Sequence, residues 1–164
     1  MTLTDLTELE ARSRHAKNPT FPFDYLARTK YTDKTANGLT KCIDDFLNLS
    51  GHMSERIRSE GRMIDNTKIV TDVLGHRKTI GSVKWIKSSS TNGTADISAT
   101  LKVKISGRDV PISCKWEVKM RDKQSEAQKK YQSRVERSAG YYFLVHNWIE
   151  FQEQYQSVLD EWKE

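Results

Sequence analysis

Asp96 and the triplet Glu117-Val118-Lys119 are the residues of this chain whose types and spacing fit a definite chemistry. A carboxylate, then a second carboxylate two positions before a lysine, is a set suited to metal-dependent hydrolysis of a phosphodiester. The diester is anionic and repels hydroxide, so its cleavage needs a hard divalent cation to polarise the phosphate and acidify a bound water. Two carboxylates supply oxygen ligands for that cation. A lysine beside them can orient the attacking water and stabilise charge building on the phosphate.

Strand geometry accounts for the spacing, because side chains at i and i+2 leave a strand on the same face. Over residues 110–120 one face reads Ile112, Cys114, Trp116, Val118 and the other Ser113, Lys115, Glu117, Lys119, the alternation of a half-buried strand. A second strand is expected over 96–105, with Ser106-Gly107-Arg108-Asp109 as the hairpin loop between them. Antiparallel folding then brings Asp96, at the start of one strand, to Glu117 and Lys119, at the end of the other. Taken alone, Glu-x-Lys is the ordinary composition of a solvated strand face; the hairpin is what gathers it with Asp96.

A helix is expected to open at Gln124-Ser125, with Ala127, Tyr131 and Val135 as its apolar stripe, and to end before Gly140. Ser125-x-x-Gln128 is a capping box, and capping alone explains both residues. Tyr141-Tyr142-Phe143-Leu144-Val145 then reads as a buried strand. Upstream, Leu39, Ile43, Phe46 and Leu47 make one face of a helix over 35–49 that Gly51 stops. Strands are expected over 52–58 and 79–87, joined by a polar segment holding Gly61, Asp65-Asn66 and Gly75. The Ser/Gly-rich loop over 88–93 suits backbone contact with a nucleic acid, and linkers share its composition. A last helix over 147–162 carries Phe151, Tyr155, Val158 or Leu159, and Trp162 on a stripe fit for sheet packing or dimerisation. At the N-terminus, Leu3, Leu6 and Leu9 are at helical spacing; Pro19 and Pro22 end that pattern, and Phe21, Phe23 and Tyr25 follow as a segment draped on its own core or on a partner subunit.

In order, Gly93-Thr94-x-Asp96-Ile97, Glu117-Val118-Lys119, Ser125-Glu126-x-Gln128-Lys129 and Gly140-Tyr141-x-Phe143-x-Val145 resemble the VRR-NUC branch of the PD-(D/E)xK nuclease superfamily, over roughly residues 35–151. The resemblance implies an α/β fold with a restriction-endonuclease-like core, a mixed central β-sheet flanked by α-helices. A helical N-terminal extension (1–34) would precede a nuclease domain (35–164). Asp96, Glu117 and the Val118 carbonyl would hold magnesium or manganese, Lys119 would position the water, and Gln128 would orient the site. The resemblance further implies a stand-alone phage or bacterial endonuclease, acting as a homodimer on branched DNA such as Holliday junctions, without a nucleotide cofactor, in the cytoplasm of a bacterial or phage-infected cell. The family's acidic residue at the start of the first core helix has Asn37-Gly38 at its place, with Asp44 and Asp45 further in. Glu55 and Glu60 are other candidates, and each reads first as a surface carboxylate.

With 164 residues the chain is long enough for one domain with a real core, and a net charge of +5 with a pI near 9.2 favours an anionic partner. Arg56, Arg58, Arg62, Lys84, Lys87, Lys115, Lys123 and Lys129 are the expected DNA contacts, since Lys and Arg on phosphates supply most sequence-independent affinity. No helix reads as a major-groove recognition element, which points to recognition of DNA structure rather than of bases. Cys42 and Cys114 sit in apolar patterns as buried thiols, and His15, His52, His76 and His146 form no pair at ligand spacing, which excludes a zinc motif. No apolar run has membrane-spanning length and residues 1–10 are not signal-like, so no membrane partner is expected. Two further function classes fit the composition: a non-catalytic nucleic-acid-binding module with the nuclease fold, and an interaction protein whose Asp96, Glu117 and Lys119 form a surface ion-pair network. A carboxylate pair facing an anionic ligand argues against both, because it makes sense only with a cation between.

Overall fold

The first helix begins with a reciprocal cap. The Asp5 N–H donates to the Thr2 hydroxyl at 3.2 Å, the Thr2 N–H donates to the Asp5 carboxylate at 2.7 Å, and α1 runs over Leu3–Lys17. The computed structural model describes residues 1–58, 61–87 and 91–163. Leu6 is wholly buried in the main core and Trp148 Nε1 donates to the Met1 carbonyl at 2.8 Å, so α1 packs on its own chain. Phe23 meets His15 edge-on beneath the Arg28 guanidinium, whereas Phe21 and Tyr25 are exposed. Thr35 caps α2 (Ala36–Leu49), which buries Leu39, Cys42, Ile43, Phe46 and Leu47 as one amphipathic face.

The strands are β1 (Met53–Arg56), β2 (Arg62–Asp65), β3 (Lys68–Thr71), β4 (Arg77–Ile80), β5 (Val83–Ile86), β6 (Ile97–Ile105), β7 (Arg108–Val118) and β8 (Tyr141–Val145); α3 (Glu126–Arg137) precedes β8 and α4 (Trp148–Glu161) follows it. One mixed sheet has the order β1-β6-β7-β8. Its central hairpin turns on two residues, Ser106 and Gly107 at φ 47° and 78°, rather than on the four expected. Left-handed backbone at both positions matches the strand twist, so pairing continues up to the turn. β8 runs parallel to β7, which requires a crossover, and α3 supplies it.

One face of the sheet sets Ile97, Ala99 and Leu101 against Trp116, Cys114 and Ile112, under α2 and α4. Rings of Phe46, Trp116, Phe143, Trp148, Phe151 and Tyr155 pack together there, each large apolar side chain contributing about 1.5–3 kcal/mol by burial. Cys42 and Cys114 are free thiols in this layer, and burial pushes Cys114 up to about 12. The opposite face is polar and is approached by α3, whose Tyr131 ring lies 6.2 Å from that of Tyr142. Ala127, expected on the packed stripe of α3, is exposed; Tyr131 and Val135 alone carry it, half-buried.

Residues 58–92 depart from the expectation. The strand expected over 79–87 is two, β4 and β5, parted at Gly81 (φ 95°), and the supposed polar connection provides their antiparallel partners, β3 and β2. Ile64, Ile69 and Val70 stand among charged residues with no fully buried face, so no periodic apolar record marked β2 and β3. Arg58–Asn92 forms a unit separate from that of Met1–Ile57 with Gly93–Glu164. Glu60 and Ser88-Ser89-Ser90 lie outside the described residues. Among the described residues no helix is long and apolar enough to cross a membrane.

Candidate functional site

Hairpin register decides who meets whom. Ile97 pairs with Trp116, so Asp96, one step outward, falls beside Glu117. Asp96 is fixed from two sides: its carboxylate accepts the Val118 N–H at 2.9 Å and its carbonyl accepts the Ile57 N–H at 2.8 Å. Glu117 has a side chain only 3% exposed; Lys119 Nζ lies 3.0 Å from its Oε1, and Gln128 Nε2 donates to the same oxygen. Asp96, Glu117, Lys119 and Gln128 thus gather at the end of the polar face, against the first turn of α3.

Gln128 does two jobs with one amide. Its oxygen accepts the Ser125 N–H at 2.8 Å while the Ser125 hydroxyl accepts the Gln128 N–H at 3.3 Å, which closes the capping box. Its nitrogen is thereby left to donate to Glu117. A glutamate there would cap the helix equally well but has no N–H for Glu117 and would add a third carboxylate. Gln128→Glu is therefore expected to keep the circular dichroism of the fold and to lower any activity of the site by about tenfold or more, the scale of one lost charged hydrogen bond.

Gly93 makes the convergence sterically feasible. It sits at φ 79°, and a Cβ there would lie 2.5 Å from the Ala127 carbonyl carbon and 2.7 Å from the Gln128 nitrogen. Only glycine lets the segment that leads through Thr94 and Asp96 into β6 lie against the α3 backbone.

The second Glu117 oxygen, Oε2, is buried without a hydrogen-bond partner, as are the Tyr142 and Thr94 hydroxyls. Burial, and after it the Asp96 charge, push the Glu117 carboxyl above the usual range, against the pull of Lys119 and a weaker pull from the Tyr142 phenol, which faces the carboxyl without the geometry of a hydrogen bond. Burial, then the charge of Glu117, likewise push the Tyr142 phenol up. Glu117 is thus a buried acid with one oxygen doubly served and the other bare. No family model, curated protein or solved structure matches the chain.

The basic residues expected to touch DNA divide. Lys115 shares the Glu117 face, where its ammonium donates to the Ser98 hydroxyl and burial pushes its pKa down. Lys123 is exposed on the loop before α3, and Lys129 is exposed and paired with Glu126 at 2.7 Å. Arg56, opposite Ile97, emerges on the other face and donates to Asn37 Oδ1, away from Glu117. Arg58, Arg62, Lys84 and Lys87 belong to the Arg58–Asn92 unit. Of the further acids, Asp44 accepts the Ser54 hydroxyl at 2.6 Å and Asp45 the Tyr31 hydroxyl at 2.6 Å, so both serve packing around α2. Glu55 is exposed on β1, and His146 pairs with Glu150 at 2.9 Å. Among the described residues no group of three or more His, Cys, Asp and Glu stands at metal-binding distance. Tyr142 was given no role from the sequence, and Thr94 entered only as part of the Gly93–Ile97 motif. No sequence signal marked Tyr142, because residues 141–145 are an unbroken apolar and aromatic run and only the register with Lys115 puts it on the polar face.

Proposed function

We propose that this chain is a divalent-metal-dependent DNA endonuclease with a restriction-endonuclease-like core, acting as a homodimer on branched DNA. The observation that carries this reading is the bare, buried Oε2 of Glu117 beside Asp96, while Lys119 and Gln128 both serve Oε1. An unpartnered buried carboxylate oxygen is unfavourable by itself and becomes favourable facing a cation. Magnesium or manganese fits this donor set: Asp96, Glu117 and the Val118 carbonyl would hold it, and magnesium commonly takes only one or two carboxylates, its other positions going to water and phosphate. When bound, such an ion polarises the phosphate and acidifies a water.

The chain's own residues supply the rest. Lys119, anchored on Glu117, orients the nucleophile and balances charge growing on the phosphate. Gln128 holds the Glu117 carboxylate in one orientation, and the Val118 N–H does the same for Asp96. Branched DNA is supported by the motif resemblance, and an isologous dimer would present two such sites to a two-fold substrate.

The test is cleavage of a labelled four-way junction beside matched duplex, flap and single-stranded substrates, with magnesium, manganese or chelator. Paired, metal-dependent nicks at the junction are expected, at least a hundredfold slower in Lys119→Ala. Cutting of flaps or single strands instead would retain the nuclease and reject the junction as its substrate. No cutting of any substrate, with junction binding intact, would leave a binding module.

A further inference from the structure

In the Arg58–Asn92 unit, β2 pairs with β5 from Arg62↔Ile86 to Asp65↔Val83, and β3 with β4 from Lys68↔Ile80 to Thr71↔Arg77. Two residues separate these segments on each side and both ladders follow one register, so 62–71 with 77–86 form a ribbon of two ladders, interrupted at Gly81.

Directly opposed residues share a face, and the two faces differ. On one, every basic residue stands opposite an aliphatic: Arg62 by Ile86, Lys84 by Ile64, Lys68 by Ile80, Lys78 by Val70. It carries no acid. The other face has one acid, Asp65, and one base, Arg77. Val70, Ile80 and Ile86 are 44%, 47% and 40% exposed, so the first face is uncovered.

Charge selects among partners. A second copy laid on this face would bring four cations against four cations, which repel. A nucleic-acid duplex complements it: the major groove, about 12 Å wide, admits a two-stranded ribbon, Lys and Arg neutralise phosphates, and aliphatic side chains meet thymine methyls. We propose that the 62–86 ribbon is a duplex-binding arm that enters a groove with its Lys/Arg and aliphatic face. The choice of DNA as the duplex rests on the nuclease reading above.

The test uses the full chain in chelator, with fluorescence anisotropy on a labelled duplex across a salt series. The comparison is with a variant combining Arg62→Gln, Lys68→Gln, Lys78→Gln and Lys84→Gln, all within the Arg58–Asn92 unit. Affinity is expected to fall at least tenfold, and the slope of log K against log salt to shrink by about 3.6, four contacts at about 0.9 each. Lysine acetylation footprinting of the wild type avoids any folding defect of the variant: Lys68, Lys78 and Lys84 should be protected severalfold by duplex. Unchanged slope and no protection would overturn the arm, as would sedimentation showing that the variant merely dissociates a dimer while its salt slope stays the same. Cleavage in magnesium is read separately. Cutting with an unchanged slope sinks the arm and spares the nuclease; ribbon-dependent binding without cutting does the reverse.

Discussion

Glu117→Gln is expected to stabilise the metal-free protein at neutral pH and to cut cleavage at least a thousandfold, about 4 kcal/mol of transition-state stabilisation. Both effects come from one buried carboxyl whose folded pKa is raised, first by burial and then by Asp96. Well below the usual glutamate value it is protonated in both folded and unfolded states and contributes no difference. As pH rises, the unfolded chain ionises first while the fold retains its proton, so stability falls with pH until Glu117 ionises in the fold as well. The glutamine cannot ionise. The melting temperatures of wild type and variant should therefore converge near pH 4 and differ at neutrality by about 2–4 °C in favour of the variant, the equivalent of roughly 1 kcal/mol.

Magnesium or manganese should reverse that order. A ligand at a hundred times its dissociation constant stabilises the state it binds by about 2.7 kcal/mol, and only the wild type retains the anionic oxygen to bind it. Melting curves in chelator and in metal, at low and neutral pH, read both effects. A variant that melts below wild type in chelator at neutral pH would mean that Lys119 and Gln128 already satisfy the charge, and the case for a cation at Oε2 would be lost.

Gly93→Ala is expected to destabilise the fold by about 2–4 kcal/mol, a fall of about 5–15 °C in melting temperature, and to cost cleavage about a hundredfold. The left-handed backbone at φ 79° accounts for about 1–2 kcal/mol of this for any residue with a Cβ. The remainder arises because the new methyl would press on the backbone of Ala127 and Gln128, which cannot swing aside as a side chain would. Relief requires Asp96 and the first turn of α3 to separate, which misplaces Asp96 and Gln128 together. Gly107→Ala is the control: its φ is 78°, but nothing lies within 4 Å of its Cβ. It should lose only the conformational part of the stability and leave cleavage unchanged. Equal losses of activity in both variants would show that the contact with α3 does not set the site.

What the sequence determined by itself was local. The alternation over 110–120 sorted Ile112, Cys114, Trp116 and Val118 from Ser113, Lys115, Glu117 and Lys119, because a period of two reports which face of a strand is buried. The strand, hairpin, strand, helix, strand order was legible for the same reason, since caps and turns are written in neighbouring residues. Tertiary structure decided the rest. It joined the capping and orienting readings of Gln128 in one amide, which requires knowing what lies across from α3. It put Tyr142 within the electrostatic reach of Glu117 through the parallel register of β7 and β8, a pairing that no local pattern sets. It turned Arg56 to the face away from Glu117, because position along an edge strand fixes direction and charge does not. β2 and β3 stayed hidden for the converse reason. With no buried face of their own, they left no apolar periodicity to read, and only their pairing with β5 and β4 brought the scattered lysines and isoleucines onto one surface.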